Sequence, residues 1–103
     1  MNNWIINTMP TLTSVIQHLT ERGIRIISVD SDTEQFFRIH CTTTEEFCIW
    51  ATLNNATVDD KWCGSKRDDR YPYKVIVWVD GIQCFTLMSE EEYREWRGES
   101  ESP

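Results

Sequence analysis

The chain has 103 residues, 40% of them hydrophobic and 26% charged, and 17 acidic against 10 basic side chains leave a formal charge of −7. That length suits one domain with a single modest core, and five Trp among its aromatic residues argue against a disordered chain. Its field repels phosphate backbones and anionic lipid and attracts basic surfaces, which sets direct nucleic-acid binding aside and favours a basic partner.

Trp4-Ile5-Ile6 is an apolar start, either a short strand or a packed arm. Residues 8–23, TMPTLTSVIQHLTERG, predict a helix, because Leu12, Val15, Ile16 and Leu19 recur at i, i+3, i+4 and i+7. Thr8 suits its N-cap, Pro10 its first turn and Gly23 the position just past its end. Residues 24–29 read as a strand, and Asp30-Ser31-Asp32 as a turn. Residues 36–41 and 47–52 read as the next two strands, joined as a hairpin through CTTTEE. In FFRIHC, alternation puts Phe37, Ile39 and Cys41 on an apolar face and Phe36, Arg38 and His40 on a mixed one.

The strongest local signal is YKVIVWV, Asp80-Gly81, IQCFTLM, a β-hairpin with a dipeptide that favours a type I′ turn. Taking Asp80 and Gly81 as the loop pairs Val79 with Ile82, Val77 with Cys84 and Val75 with Thr86, on a face shared with Tyr73. The opposite face gathers Ile76, Trp78, Phe85 and Leu87, too apolar to meet water without a cover or a partner. Ser89 and Glu92 then form a capping box, Met88 can staple onto Tyr93, and Glu90, Glu91 and Glu92 complement the positive end of a last helix. Tyr93 and Trp96 share a face that can dock on the sheet, Gly98 is the expected stop, and 99–103 is expected to fray. The pattern gives α+β: a single domain, 1–103, with an antiparallel sheet of about five strands and an N-terminal and a C-terminal helix packed on it.

The connection 53–72 is longer than a compact domain needs. It carries Trp62, Arg67, Arg70 and Tyr71, types enriched at binding hot spots, beside Lys66, Asp68 and Asp69. Alternatively, Trp62 folds back as a lid over the open apolar face. Cys63 sits near Lys61, Lys66 and Arg67, which would lower a thiol pKa, but Asp59 and Asp60 oppose them. His18 and His40 are the only histidines, so a nucleophile with a positioned base is not legible, and no catalytic residue is expected. Cys41, Cys48, Cys63 and Cys84 have no C-x-x-C spacing, so neither metal nor cofactor is expected, and the surroundings of Cys41, Cys48 and Cys84 suit core packing. Glu90, Glu91, Glu92, Glu95, Glu99 and Glu101 form one acidic group and Asp30, Asp32 and Glu34 another; aligned, they would offer a charged docking surface.

No basic start precedes an apolar core near the N-terminus, and no apolar run is long enough to span a bilayer, so no membrane is expected and the location reads as cytoplasmic, the host cytoplasm if the protein is viral. In type, the small acidic chain resembles inhibitor proteins of phages and mobile elements, such as anti-CRISPR proteins, and the acidic immunity proteins of toxin systems; the resemblance carries no residue roles. The expectation is a non-enzymatic protein-binding inhibitor that blocks a basic nucleic-acid-handling target by steric and electrostatic occlusion. Its partner-binding residues are expected at Trp62, Lys66, Arg67, Asp68, Asp69, Arg70, Tyr71, Glu90, Glu91, Glu92 and Glu95. The alternatives are an immunity protein that neutralises a toxin, a homodimer that buries the Ile76–Trp78–Phe85–Leu87 face, and a thiol or redox enzyme built on Cys63.

Overall fold

The Asp80-Gly81 turn organises the centre of the molecule. The computed structural model describes residues 3–32, 36–60 and 70–101. In chain order these form α1 (Asn3–Glu21), β1 (Ile26–Asp32), β2 (Phe36–Cys41), α2 (Glu45–Leu53), β3 (Thr57–Asp59), β4 (Tyr73–Val79), β5 (Ile82–Met88) and α3 (Glu90–Glu101). Asp80 and Gly81 have φ of 50° and 81°, as a type I′ turn requires. The register they set pairs Val79 with Ile82, Val77 with Cys84 and Val75 with Thr86, as expected.

The sheet has five strands in the order β1-β2-β5-β4-β3. Its class is α+β, but the sheet is mixed, because β2 and β5 run parallel. Between them the chain passes through α2, β3 and β4, and that long crossover lets β5 return beside β2 in the same direction. The core lies on one face of the sheet. Ile39, Cys41, Val75, Ile82, Cys84 and Met88 are fully buried there against Leu12, Val15 and Leu19 of α1 and Phe47, Trp50 and Ala51 of α2.

Several elements differ from the sequence reading. Trp4-Ile5-Ile6 is helical, and α1 begins at Asn3, so Thr8 is not its cap and Pro10 lies inside it. Pro10 removes one backbone donor, while Trp4 packs on Phe37 with 5.1 Å between ring centroids and holds the extra turns. The other end follows expectation. Gly23 has φ 79°, Ile24 N–H donates to the Leu19 carbonyl and Gly23 N–H to that of Thr20, both at 3.0 Å, a Schellman ending.

Residues 47–52 are not a strand but part of α2. Phe47, Trp50 and Ala51 are the buried positions, at i, i+3 and i+4, and the Thr44 hydroxyl accepts the Phe47 N–H at 3.2 Å as N-cap. Over six residues the two periods are hard to separate; the signal that decides is Thr44 followed by Glu45 and Glu46 in the first turn. The expected 36–52 hairpin is absent, and β2 instead pairs with β1 and β5. β1 extends through the expected Asp30–Asp32 turn, with an irregularity between Ile26 and Ser28. Thr57–Asp59, inside the long connection, forms the short edge strand β3 on β4. α3 runs through Gly98 to Glu101, past the expected stop.

The bare face of the sheet as candidate site

All three helices cover the same face. α1 and α2 supply the core, and Tyr93 of α3 stacks on Tyr73 with centroids 3.9 Å apart, beside the buried Met88 that pairs with Tyr73. Among the described residues, no helix lies on the opposite face. Register places Asp30 and Asp32 of β1, Phe36, Arg38 and His40 of β2, Gln83, Phe85 and Leu87 of β5, and Lys74, Ile76 and Trp78 of β4 on it.

Strand pairing orders these side chains into rows. One row runs Asp30, Arg38, Gln83, Trp78; the next runs Ser28, His40, Phe85, Ile76. Arg38 donates from Nε and Nη2 to the two carboxylate oxygens of Asp30, each at 2.9 Å, and its Nη1 lies 3.5 Å from Asp32. The hydrogen bond to Asp30 is the main reason its guanidinium holds its proton more tightly than usual. His40 stacks on Phe85 at 4.7 Å, 11° from parallel, and the Lys74 ammonium lies 4.5 Å from the Phe85 centroid. Burial pushes the pKa of both His40 and Lys74 down. Trp78 stands out, 52% exposed with Phe36 edge-on at 5.1 Å. Gln83 beside it is 7% exposed, and among the described residues its Oε1 has no hydrogen-bond partner.

The residues named from sequence fall elsewhere. Trp62, Cys63, Lys66, Arg67, Asp68 and Asp69, with Glu34, lie outside the described residues. Arg70 and Tyr71 are exposed, with the Arg70 guanidinium 5.9 Å from the Tyr71 ring. Glu90 binds Arg94 at 2.7 Å, and Glu92 closes the capping box with Ser89. Glu92 and Glu95 also line an open groove of about 1030 Å³ between α2 and α3, which includes Cys48, Ile49, Leu53 and Trp96. α3 packs on the covered face and Asp30 and Asp32 stand on the bare one, while Glu92 lines a small cavity with His40 and Leu87 at the end of the sheet. Trp78, Phe85, Ile76 and Leu87 were legible as an uncovered apolar set, and the hairpin register sets Gln83 opposite Trp78, whereas Arg38 and Phe36 join them only through the parallel β2–β5 pairing.

Chemically this face offers exposed aromatic surface for stacking, with the Gln83 amide beneath it. The Cys41 and Cys84 thiols are pushed up to about 12 by burial, so both are neutral at physiological pH. Among the described residues no three His, Cys, Asp or Glu side chains gather as metal ligands would, and no helix is long and apolar enough to cross a membrane. Set against known proteins, the chain matches no family model, no curated protein and no solved structure.

Proposed function

We propose that this chain is a non-enzymatic protein-binding inhibitor that docks on a basic, nucleic-acid-handling target through the bare face of its sheet and occludes it. The observation that carries the reading is Trp78, 52% exposed on a sheet face that none of the described helices covers, among the partly exposed Phe36, Ile76, Phe85 and Leu87. Tryptophan is among the residue types enriched at binding hot spots, and exposed apolar patches mark interaction sites. The net charge of −7 supports a basic partner, whose approach it would speed and whose binding would weaken with salt. Three groups support the non-catalytic part: His40 is stacked against Phe85, and the Cys41 and Cys84 thiols are held protonated inside the core, which leaves Cys63 as the thiol of the alternative reading.

The test is capture from extracts of the native or host cell, at low and high salt, with the wild-type chain and with Trp78→Ala. The reading requires a basic target that only the wild type retains, that high salt releases, and whose activity falls when the chain is added. Equal capture by both chains would sink the docking face. A dimer in sedimentation that Trp78→Ala dissociates would make the face a homodimer interface instead.

A further inference from the structure

The hairpin makes Trp78 and Gln83 direct cross-strand partners, and the parallel β2–β5 pairing places Arg38 on the other side of Gln83. Gln83 is thus an amide in the middle of a sheet face, 7% exposed, with an Oε1 that no donor among the described residues meets. Buried acceptors are rarely left so, because the loss of hydration is not recovered. The donor in the next strand is already committed: Arg38 gives Nε and Nη2 to Asp30. Nor do the two large rings stand alike. Phe85 has His40 stacked on it and the Lys74 ammonium over it, whereas Trp78 is half exposed with Phe36 at its edge.

We infer that Trp78 and Gln83 form a receptor for the guanidinium group of an arginine on the partner protein, an assignment that rests on the docking reading above. A guanidinium is a planar cation that lies flat on an indole and keeps N–H donors in its own plane. Trp78 supplies the ring face and Gln83 Oε1 the acceptor. Oε1 has almost no exposed surface in the free chain, so the arginine reaches it as the exposed indole turns to lie along the guanidinium. Asp30 and Asp32 flank Arg38, and Asp80 stands in the turn next to Trp78 and Gln83, so carboxylates gather at this end of the face.

Charge separates the alternatives. An adenine could also stack on Trp78 and donate to Gln83, but it arrives with phosphates, which these carboxylates and the net charge of −7 repel. A lysine ammonium satisfies the charge but has no planar fork to lie on the ring.

The experiment titrates the full chain with a capped hexa-arginine peptide, a hexa-lysine peptide and an oligo(dA), following the Trp78 indole N–H and the Gln83 side-chain amide by NMR. The arginine peptide should shift both signals at concentrations about tenfold below those the lysine peptide needs, and Gln83→Leu should remove about that tenfold preference. Trp78→Ala, at a half-exposed site that tolerates truncation, should abolish the preference as well, while Glu21→Gln with Glu46→Gln, on the helical side, should preserve it. Equal binding of the two peptides, or shifts by oligo(dA) at the same concentrations, would overturn the assignment. If the arginine preference is missing while Trp78→Ala still loses a captured target, the guanidinium site fails and the docking face stands; if Trp78→Ala loses neither, both fail.

Discussion

Tyr93 of α3 stacks on Tyr73 of β4 with ring centroids 3.9 Å apart and planes 13° from parallel. This contact, with Trp96 Nε1 donating to the Thr52 hydroxyl at 2.9 Å, ties the last helix to both the sheet and α2. α3 has little else to hold it, since its remaining face is strongly charged. Tyr93→Ala should therefore cost about 2 kcal/mol, from lost burial and ring stacking, and Tyr93→Phe well under half of that. Urea unfolding followed by far-ultraviolet dichroism measures both; equal losses for the two variants would mean that the hydroxyl, not the ring, holds the helix.

Gly81 and Gly98 are matched in space and opposite in backbone. A Cβ at either would meet nothing within 4 Å, but Gly81 has φ 81° and Gly98 lies within α3. Gly81→Ala should destabilise the chain by about 1 kcal/mol through backbone strain alone, and Gly98→Ala should stabilise α3 by about 0.5–1 kcal/mol. Thermal unfolding midpoints moving in opposite directions would bear this out. A neutral Gly81→Ala would mean that the hairpin does not depend on the left-handed turn.

How much of this fold could be read beforehand follows from where its information is stored. Asp80-Gly81 fixed a register of seven residue pairs because a two-residue loop leaves no freedom to slip. Gly23 and the Ser89–Glu92 box were legible for the same reason, since each is a local bond pattern with its own residue types. Residues 47–51 are all apolar and fit a strand as well as a helix, so the choice rests on Thr44 as N-cap with Glu45 and Glu46 in the first turn and on the burial of Phe47, Trp50 and Ala51. The parallel β2–β5 pair has no local signature, as it joins residues more than forty positions apart. The hairpin register sets Trp78 beside Gln83, but Arg38 on its other side comes only with that parallel pair. The long connection drew notice for its hot-spot residue types, but the face that the described residues leave uncovered belongs to the hairpin it leads into.

Cys41 and Cys84 share the covered face of the sheet, and burial raises both thiols to about 12; for Cys84 the neighbouring Cys41 adds to the effect. At pH 8 the reactive thiolate is therefore rare, and neither sulfur has exposed surface. In the native protein both should stay unlabelled by iodoacetamide over hours, and both should react fully in urea, as peptide mapping by mass spectrometry would read. Labelling of the native chain at the urea rate would mean that the sheet opens far more easily than its packing implies.

His40 gives the fold a pH dependence whose sign is fixed by its surroundings. Burial, the largest effect, pushes its pKa below the ordinary 6.5; the Asp30 carboxylate pulls the other way and the Lys74 ammonium adds to the lowering. The unfolded chain thus binds a proton that the folded chain refuses, in the window between the lowered value and 6.5. Stability from this group is fully present above 6.5 and declines as pH falls through that window, because protonation must break the desolvated His40–Phe85 stack. The urea midpoint should fall between pH 7.5 and 5.5, and His40→Gln should flatten that slope while lowering stability at pH 7.5 through the lost stacking. A His40→Gln variant with the wild-type slope would assign the pH dependence to other groups and remove His40 as its source.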